Sequence, residues 1–293
     1  MFKIVNKQII ALNIKRIDIA AASIASKVMP GQFIMITPSV SMKAIPMSVI
    51  DADDRKGVIT LIAHEVGEVS RAIGEMSIGD KVFSIVGPLG KPSVIERYGV
   101  VVCIATGIGA AQVLPICRAL KKKGNKVLGI IGAKSKKVLM LESQMRVVCD
   151  ELFITTNDGS YERKGLASEV LSDLLKKYKV NAVYAIGSVE MMQRASRMAE
   201  EKDIPVWMTV NAYMINGMGL CGSCRVRVDD GFKLACVDGP QFDGKKVDYE
   251  DLAKRDQANK EQAWEKQILP SSLKSGGLPM LVKSFLGLAK KRT

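Results

Sequence analysis

The stretch "GVVVCIATGIGAAQVLPICRALKKKG", residues 99–124, sets an unbroken apolar run against a segment of helical spacing, with glycines between them. A strand covered on both faces needs such a run. The segment after it, "AAQVLPICRALKKKG", stops in lysines and Gly124 as helices do. Buried strand, glycine turn and helix together open a doubly wound sheet. Downstream, "KVLGIIGA", "QMRVVCDELFITT", "ASEVLSDLLKKY", "AVYAIG" and "EMMQRASRMAEEKDI" continue the alternation of strand and helix. An α/β doubly wound parallel sheet is therefore expected over residues 97–210.

Upstream the rhythm differs. "KIVNKQIIALNIKRIDIAA", "GQFIMITP", "IPMSVIDAD", "GVITLIAHEV" and "DKVFSIVGPLG" are short and β-branched, with Pro30-Gly31, Asp53-Asp54 and Gly79-Asp80 as turn signals. This predicts a small antiparallel β-barrel over residues 1–96, interrupted by one helical insertion, "EVSRAIGEMSIG". Residues 211–250 hold a cysteine-bearing segment expected as an appendage to the sheet. Residues 251–293 read as a charged helix, "DLAKRDQANKEQAWEKQ", then a basic tail with the apolar run "MLVKSFLGLAKKRT". That run suits packing on a partner or core better than a membrane surface.

With 293 residues, 47% hydrophobic and 25% charged, the chain has globular composition and room for two cores. The formal charge of +13 is spread along the chain and only 5% of residues are aromatic, which argues against nucleic acid, and a positive field serves anionic cofactors or an acidic partner equally well without specifying chemistry. No apolar run spans a bilayer, and the opening residues alternate like a strand, so a cytoplasmic protein is expected. In that compartment clustered cysteines serve metal or redox chemistry more often than disulfides.

Glycines at 107 and 109, between the first parallel strand and its helix, let backbone N–H groups approach a diphosphate, although a merely tight turn would use them too. Gly187, in "AIGSVEMMQ", closes a later strand where a loop could cover a nicotinamide. The loop "TTNDGSYERKG" ends another strand. His64 is the only histidine and has no evident catalytic partner.

Cys221, Cys224 and Cys236 fit three positions of the plant-type C-x4-C-x2-C…C iron–sulfur pattern, and the first position falls on Asn216. Structural zinc is the alternative, and it too would need a fourth ligand. Cys103, Cys117 and Cys149 fall on apolar elements of the sheet region and read as packing residues.

Barrel, nucleotide region and cysteine segment, in that order, resemble the ferredoxin–NADP reductase-like flavoproteins over residues 1–250. "IPMSVID", "GPLGKP", "ATGIGAAQVLP", "NDGSYERKG", "GMGLCGSCRV" and "ACVDGPQFDG" narrow the resemblance to two groups: electron-transfer subunits of dihydroorotate dehydrogenases and, more closely, small subunits of NADH-dependent ferredoxin–NADP oxidoreductases. The resemblance implies FAD against Pro46, Met47 and Ser48, with its diphosphate near Gly67, Val69 and Ser70. It implies NAD(H) over Thr106, Gly107, Ile108 and Gly109, with Asp158, Gly187 and Met191 also at that site. A [2Fe–2S] cluster would be held by Cys221, Cys224 and Cys236, with Asn216 at the fourth position.

Two departures stand out. Ala44, after Lys43, replaces the arginine that precedes the flavin motif in those subunits, and Asn216 replaces their cysteine or aspartate. An amide is a poorer iron ligand than either, so Asp229, Asp230 or Asp238 are further candidates.

The implied role is an oxidoreductase subunit in which the cofactors carry the chemistry and no side chain serves as acid, base or nucleophile. Its electrons would pass to a larger flavin- and iron–sulfur-containing subunit, and through that subunit to ferredoxin and NADP(H). Service to a dihydroorotate dehydrogenase is the neighbouring possibility. A zinc-bearing assembly or regulatory subunit on the same fold is the possibility from another class.

Overall fold

The computed structural model describes residues 2–268. The first part contains β1 (Phe2–Ala11), β2 (Ile14–Ala20), α1 (Ala22–Ala25), β3 (Phe33–Thr37), β4 (Ile45–Ser48), β5 (Asp51–Asp53), β6 (Val58–His64), α2 (Glu68–Glu75), β7 (Lys81–Val82) and β8 (Ser84–Leu89). All are antiparallel where they pair, and the helical insertion is α2.

The expected closed barrel is not formed. Hydrogen bonding instead gives two sheets, ordered β5-β6-β2-β1-β7 and β4-β3-β8. The chain changes sheet at bends rather than continuing a ladder. Val49 and Ile50 carry it from β4 to β5, where the Ile50 N–H bonds to Thr60 O at 3.0 Å. Phe83 carries it from β7 to β8, its N–H donating to Pro38 O at 3.2 Å. Ile17, Ile19, Ile34, Ile36, Ile59, Leu61 and Ile73 fill the shared core.

The second part contains β9 (Val100–Thr106), α3 (Gly109–Lys122), β10 (Lys126–Ala133), α4 (Glu142–Val148), β11 (Glu151–Thr156), β12 (Arg163–Lys164), α5 (Ala167–Lys177), β13 (Ala182–Ile186), α6 (Val189–Glu200) and β14 (Val206–Thr209). Then come β15 (Arg225–Val228), β16 (Gly231–Leu234), β17 (Gln241–Asp243) and α7 (Tyr249–Ile268). The main sheet is ordered β12-β11-β10-β9-β13-β14-β17, parallel except for β17. Val101 through Ala105 are buried on both faces, as their unbroken apolar run requires.

On one face Leu114, Cys117 and Leu120 of α3 and Met145 of α4 pack against Val101 and Cys103. On the other, Leu171 and Leu174 of α5 and Met192 and Ala195 of α6 pack against Val102 and Ile104. Each large aliphatic side chain buried here contributes about 1.5–3 kcal/mol.

The cysteine segment is less of an appendage than its sequence suggests. Its strand β17 pairs with β14, and Cys224, Val226, Ala235 and Cys236 share the core of α5 and α6. The compact unit ends at Leu252. The expected helix after it is present as α7, whereas the apolar run from 280 to 293 lies outside the described residues. Among the described residues no helix is long and apolar enough to cross a membrane.

Candidate functional site

The strand order reverses at β9, whose neighbours are β10 and β13. Such a reversal opens a crevice at the carboxyl ends of the strands. Thr106, Gly107, Ile108 and Gly109 follow β9, and Gly187 follows β13, so the structure brings these sequence-selected residues to one crevice. Gly107 has φ +57° and nothing within 4 Å of where a side chain would begin, which leaves room for a ligand to approach the turn, while its own N–H donates to Gly132 O at 3.1 Å. The other two glycines are fixed by crowding. A β-carbon on Gly109 would lie 2.3 Å from Ile186 O, and one on Gly187 would lie 2.0 Å from Thr106 Oγ1.

The Ser188 N–H donates to Thr106 Oγ1 at 3.3 Å, and the Met191 N–H donates to Ser188 Oγ at 3.3 Å. Met191 is buried beneath Gly187, 2.9 Å from the position of an added β-carbon. The Ala110 and Ala111 N–H groups close the turn onto Gly107 O at 3.1 Å and Ile108 O at 3.0 Å, so what α3 offers a dinucleotide diphosphate here is chiefly the positive end of its dipole.

Asp158 lies in the loop after β11. Its carboxylate accepts from the Ser160 hydroxyl at 2.6 Å and the Ser160 N–H at 2.9 Å, and these bonds hold its pKa below the usual carboxylate range. Beside it, Glu142 accepts from Arg146 Nε at 2.8 Å and from the Tyr161 hydroxyl at 3.1 Å, while Lys136 Nζ sits 4.5 Å from the Tyr161 ring centre. Positive and negative groups are thus interleaved at this end of the crevice.

In the first part, Pro46 and Ser48 are partly exposed on β4, whereas Met47 points into the core. Register pairs Met35 with Pro46 and Phe33 with Ser48. Gly67 precedes α2, and its N–H donates to Ser70 Oγ at 3.0 Å while the Ser70 hydroxyl donates back to Gly67 O at 3.0 Å. Val69 packs against the core of the antiparallel sheets. The amino end of α2 accordingly offers backbone donors and positive dipole to an anion. His64 ends β6, half-buried, and burial holds its pKa below the ordinary histidine value.

Of the three selected cysteines, the structure brings two together. Cys224 and Cys236 are buried, with sulfurs 3.2 Å apart. Burial and the Cys224 thiol push Cys236 up to about 11. Cys221 is exposed, with the Ser223 hydroxyl 3.0 Å from its sulfur. That hydroxyl, with backbone N–H groups of Ser223, Asn216 and Ile215, pulls Cys221 down to about 7. Among the described residues no three His, Cys, Asp or Glu side chains converge as a metal cage. The donor chemistry nevertheless fits an iron–sulfur group: a close thiol pair, a third thiol on a glycine-rich loop, and amide donors at the sulfurs.

Asn216 stands beside Cys221 and its Oδ1 accepts from the Met218 N–H at 2.9 Å. The alternative carboxylates fare worse. Asp229 and Asp230 sit in the turn between β15 and β16, at the opposite end of β15 from Cys224, and Asp229 pairs with Lys246 at 3.2 Å. Asp238 is turned onto the Leu234 N–H at 2.8 Å. Cys103 on β9, Cys117 on α3 and Cys149 at the end of α4 are buried in one core as packing residues, and the neighbouring thiol of Cys117 together with burial pushes Cys149 far up.

Two motifs that sequence reasoning left without a physical role are explained by contact. The Lys91 N–H of "GPLGKP" donates to Gly239 O of "CVDGP" at 2.6 Å, and the Val94 N–H donates to Gln241 Oε1 at 2.9 Å. A β-carbon on Gly90 would lie 2.9 Å from Pro240. These motifs fasten the antiparallel part to the cysteine segment. Sequence reasoning missed Gln112 and Asn211 as site residues. Gln112 Nε2 donates to Ser48 Oγ at 3.1 Å and to Asn211 Oδ1 at 2.7 Å. The only available signal was that Gln112 stands within "ATGIGAAQVLP" and Asn211 opens the cysteine-bearing segment.

Residues 211–248 match the iron–sulfur cluster binding domain of dihydroorotate dehydrogenase B. The chain superposes on a subunit of the NADH-dependent reduced ferredoxin–NADP oxidoreductase, from a study of flavin-based electron bifurcation, with a TM-score of 0.85 and 33% identity. That match covers 92% of this chain and 98% of the other. The Amycolatopsis cytochrome P450 reductase shares the fold alone, at a TM-score of 0.58 and 17% identity. A probable dihydroorotate dehydrogenase B electron transfer subunit of Methanopyrus kandleri is 34% identical over 73% of this chain and 78% of its own. The electron transfer subunit homolog of Thermotoga maritima is 35% identical over 94% of this chain and 96% of its own. With that coverage and identity, the chain belongs to the family of dihydroorotate dehydrogenase B electron transfer subunits and their homologues.

Proposed function

We infer that this protein is an electron-transfer oxidoreductase subunit that passes electrons between NAD(H), FAD and a [2Fe–2S] cluster to a larger partner subunit. The observation that carries this reading is the juxtaposition of an open glycine crevice, a strand with a polar edge and a cysteine loop in one compact unit. When bound, FAD and the cluster would supply two-electron acceptance from the nicotinamide and onward one-electron transfer.

The division of labour follows the chain. Residues 1–96 hold FAD through Pro46, Ser48 and the backbone of Met47 at the ring and Gly67, Ser70 and the backbone of Val69 at the diphosphate, the Met47 and Val69 side chains being turned to the core. Residues 97–210 hold NAD(H) through Thr106, Gly107, Ile108 and Gly109, with Asp158 beside the nucleotide and Gly187 and Met191 limiting the depth of the nicotinamide. Residues 211–250 hold the cluster through Cys221, Cys224, Cys236 and Asn216, and residues 251–293 form a basic extension. The work of these residues is to bind, orient and exclude water.

The apolar side chains of Ile215, Met218 and Leu220 are exposed around Cys221, which supports docking of the partner there. The high similarity to the ferredoxin–NADP oxidoreductase subunit favours a partner that handles ferredoxin and NADP(H), in the cytoplasm. Service to a dihydroorotate dehydrogenase is the second reading, favoured by the match over residues 211–248. Purification of the chain with its co-expressed partner separates the two. NADPH- and NADH-linked ferredoxin turnover supports the first, and dihydroorotate-dependent NAD+ reduction supports the second. A complex inactive in both assays and free of flavin and iron would overturn the inference.

A further inference from the structure

The hydrogen bonds that meet at Gln112 point to a role beyond holding the fold, and the argument rests on the flavin reading of β4 given above. Gln112 lies in the first turn of α3, three residues after Gly109 of the nucleotide turn. Its amide nitrogen donates to Ser48 Oγ on β4 at 3.1 Å and to Asn211 Oδ1 at 2.7 Å. Asn211 Nδ2 returns a bond to Gln112 Oε1 at 3.1 Å. Both N–H groups of the Gln112 amide are thereby engaged, and the pair is reciprocal. Asn211 is the first residue of the segment that leads to Asn216 and Cys221. One side chain therefore ties together the strand, the helix and the loop on which three cofactor sites are placed.

The direction of the Ser48 bond carries the chemical consequence. A hydroxyl has one proton and two lone pairs, and an amide N–H can only donate to it. Ser48 Oγ accepts from Gln112, so its own proton must point elsewhere. Among the described residues it has no other hydrogen-bond partner, and its side chain is partly exposed on the side of β4 that meets the first turn of α3. We propose that Gln112 is a positioning residue, which by donating to Ser48 and clasping Asn211 holds the Ser48 hydroxyl as a donor toward the flavin and holds the cluster-bearing segment in register with it. A donor toward the ring favours the reduced, electron-richer state and so raises the flavin potential; hydrogen bonds of this kind are among the means by which proteins tune a cofactor.

The test uses the full chain with its cofactors bound and reads the flavin midpoint potential and absorption spectrum by anaerobic redox titration. Gln112→Met removes the donors at similar size, and Ser48→Ala removes the hydroxyl. Each is expected to move the potential to a more negative value, and the double variant is expected to shift it no further than Ser48→Ala alone, because the residues act through one bond. Asn211→Ala, at an exposed position, is expected to give a smaller shift of the same sign and serves if Gln112→Met fails to fold. A flavin-loaded Gln112→Met or Asn211→Ala protein with wild-type potential and spectrum overturns this proposal while leaving the electron-transfer reading intact. Additive shifts in the double variant overturn it too. Wild-type protein that binds no flavin overturns both.

Discussion

A β-carbon on Gly217 would stand 2.6 Å from Cγ of Met35, so the loop carrying Asn216 and Cys221 lies directly on β3. Met35 is in turn the partner of Pro46 on β4. A single residue, Met35, thus stands between the proposed flavin strand and the cysteine loop. Gly217 also has φ +71°, a second reason for glycine there. Gly217→Val is expected to lift the loop from β3 and lower iron per chain severalfold, with FAD content unchanged. Iron and flavin analysis of the purified variant checks this, and wild-type iron would show the contact to be incidental.

The cysteines should divide into two groups. Cys221→Ser, Cys224→Ser and Cys236→Ser are each expected to lose most of the cluster absorbance. Cys149→Ser, within the sheet core, should keep it. Visible spectra of the four variants at equal protein concentration decide the matter.

Gly187→Val would drive a side chain into Thr106 Oγ1 and the methyl of Met191, which lie 2.0 and 2.9 Å from the β-carbon position. The floor of the crevice must then shift. The expected result is a rise in the NADH dissociation constant of about tenfold, equivalent to ~1.4 kcal/mol, measured by titration of the flavin-loaded protein.

Asp18 gives a pH-dependent prediction for the antiparallel part. Burial alone would raise its pKa, but bonds from Asn6 (2.9 Å), Arg16 (3.0 Å) and the Thr60 hydroxyl (2.8 Å) outweigh it and hold the carboxyl below its ordinary value. A depressed folded pKa contributes stability above the unfolded value of about 3.9, lost as pH falls through the folded one. Asp18→Asn should therefore be less stable than wild type by about 1–2 kcal/mol at pH 7. The difference should shrink below about pH 4, as read from denaturant unfolding at several pH values.

Much of the architecture was legible because its signals are local. The apolar run of β9, the periodicity of α3 and the glycines between them depend only on neighbours in sequence, and the crevice follows from them. Closure of the antiparallel part was not legible, because it turns on where Phe83 and Ile50 direct single N–H groups across space. The pairing of β17 with β14 was hidden for the same reason: "QFD" is too short to carry a strand signal of its own. At the site, residue types selected the cysteines, but the sequence could not tell that Cys224 and Cys236 pair while Cys221 faces outward. Nor could it tell that Asp229 and Asp230 sit at the wrong end of a hairpin. Gln112 was invisible, since its partners are 64 and 99 residues away.

The central claim is that NADH electrons enter this chain at a flavin and leave through an iron–sulfur cluster. An anaerobic ultraviolet–visible spectrum of the purified full chain, with iron and zinc analysis, before and after addition of NADH, tests it most directly. The account predicts flavin bands over a broad iron–sulfur shoulder, about two irons per chain, and bleaching of both by NADH. Flavin without iron, zinc in its place, or a colourless protein unchanged by NADH would contradict it.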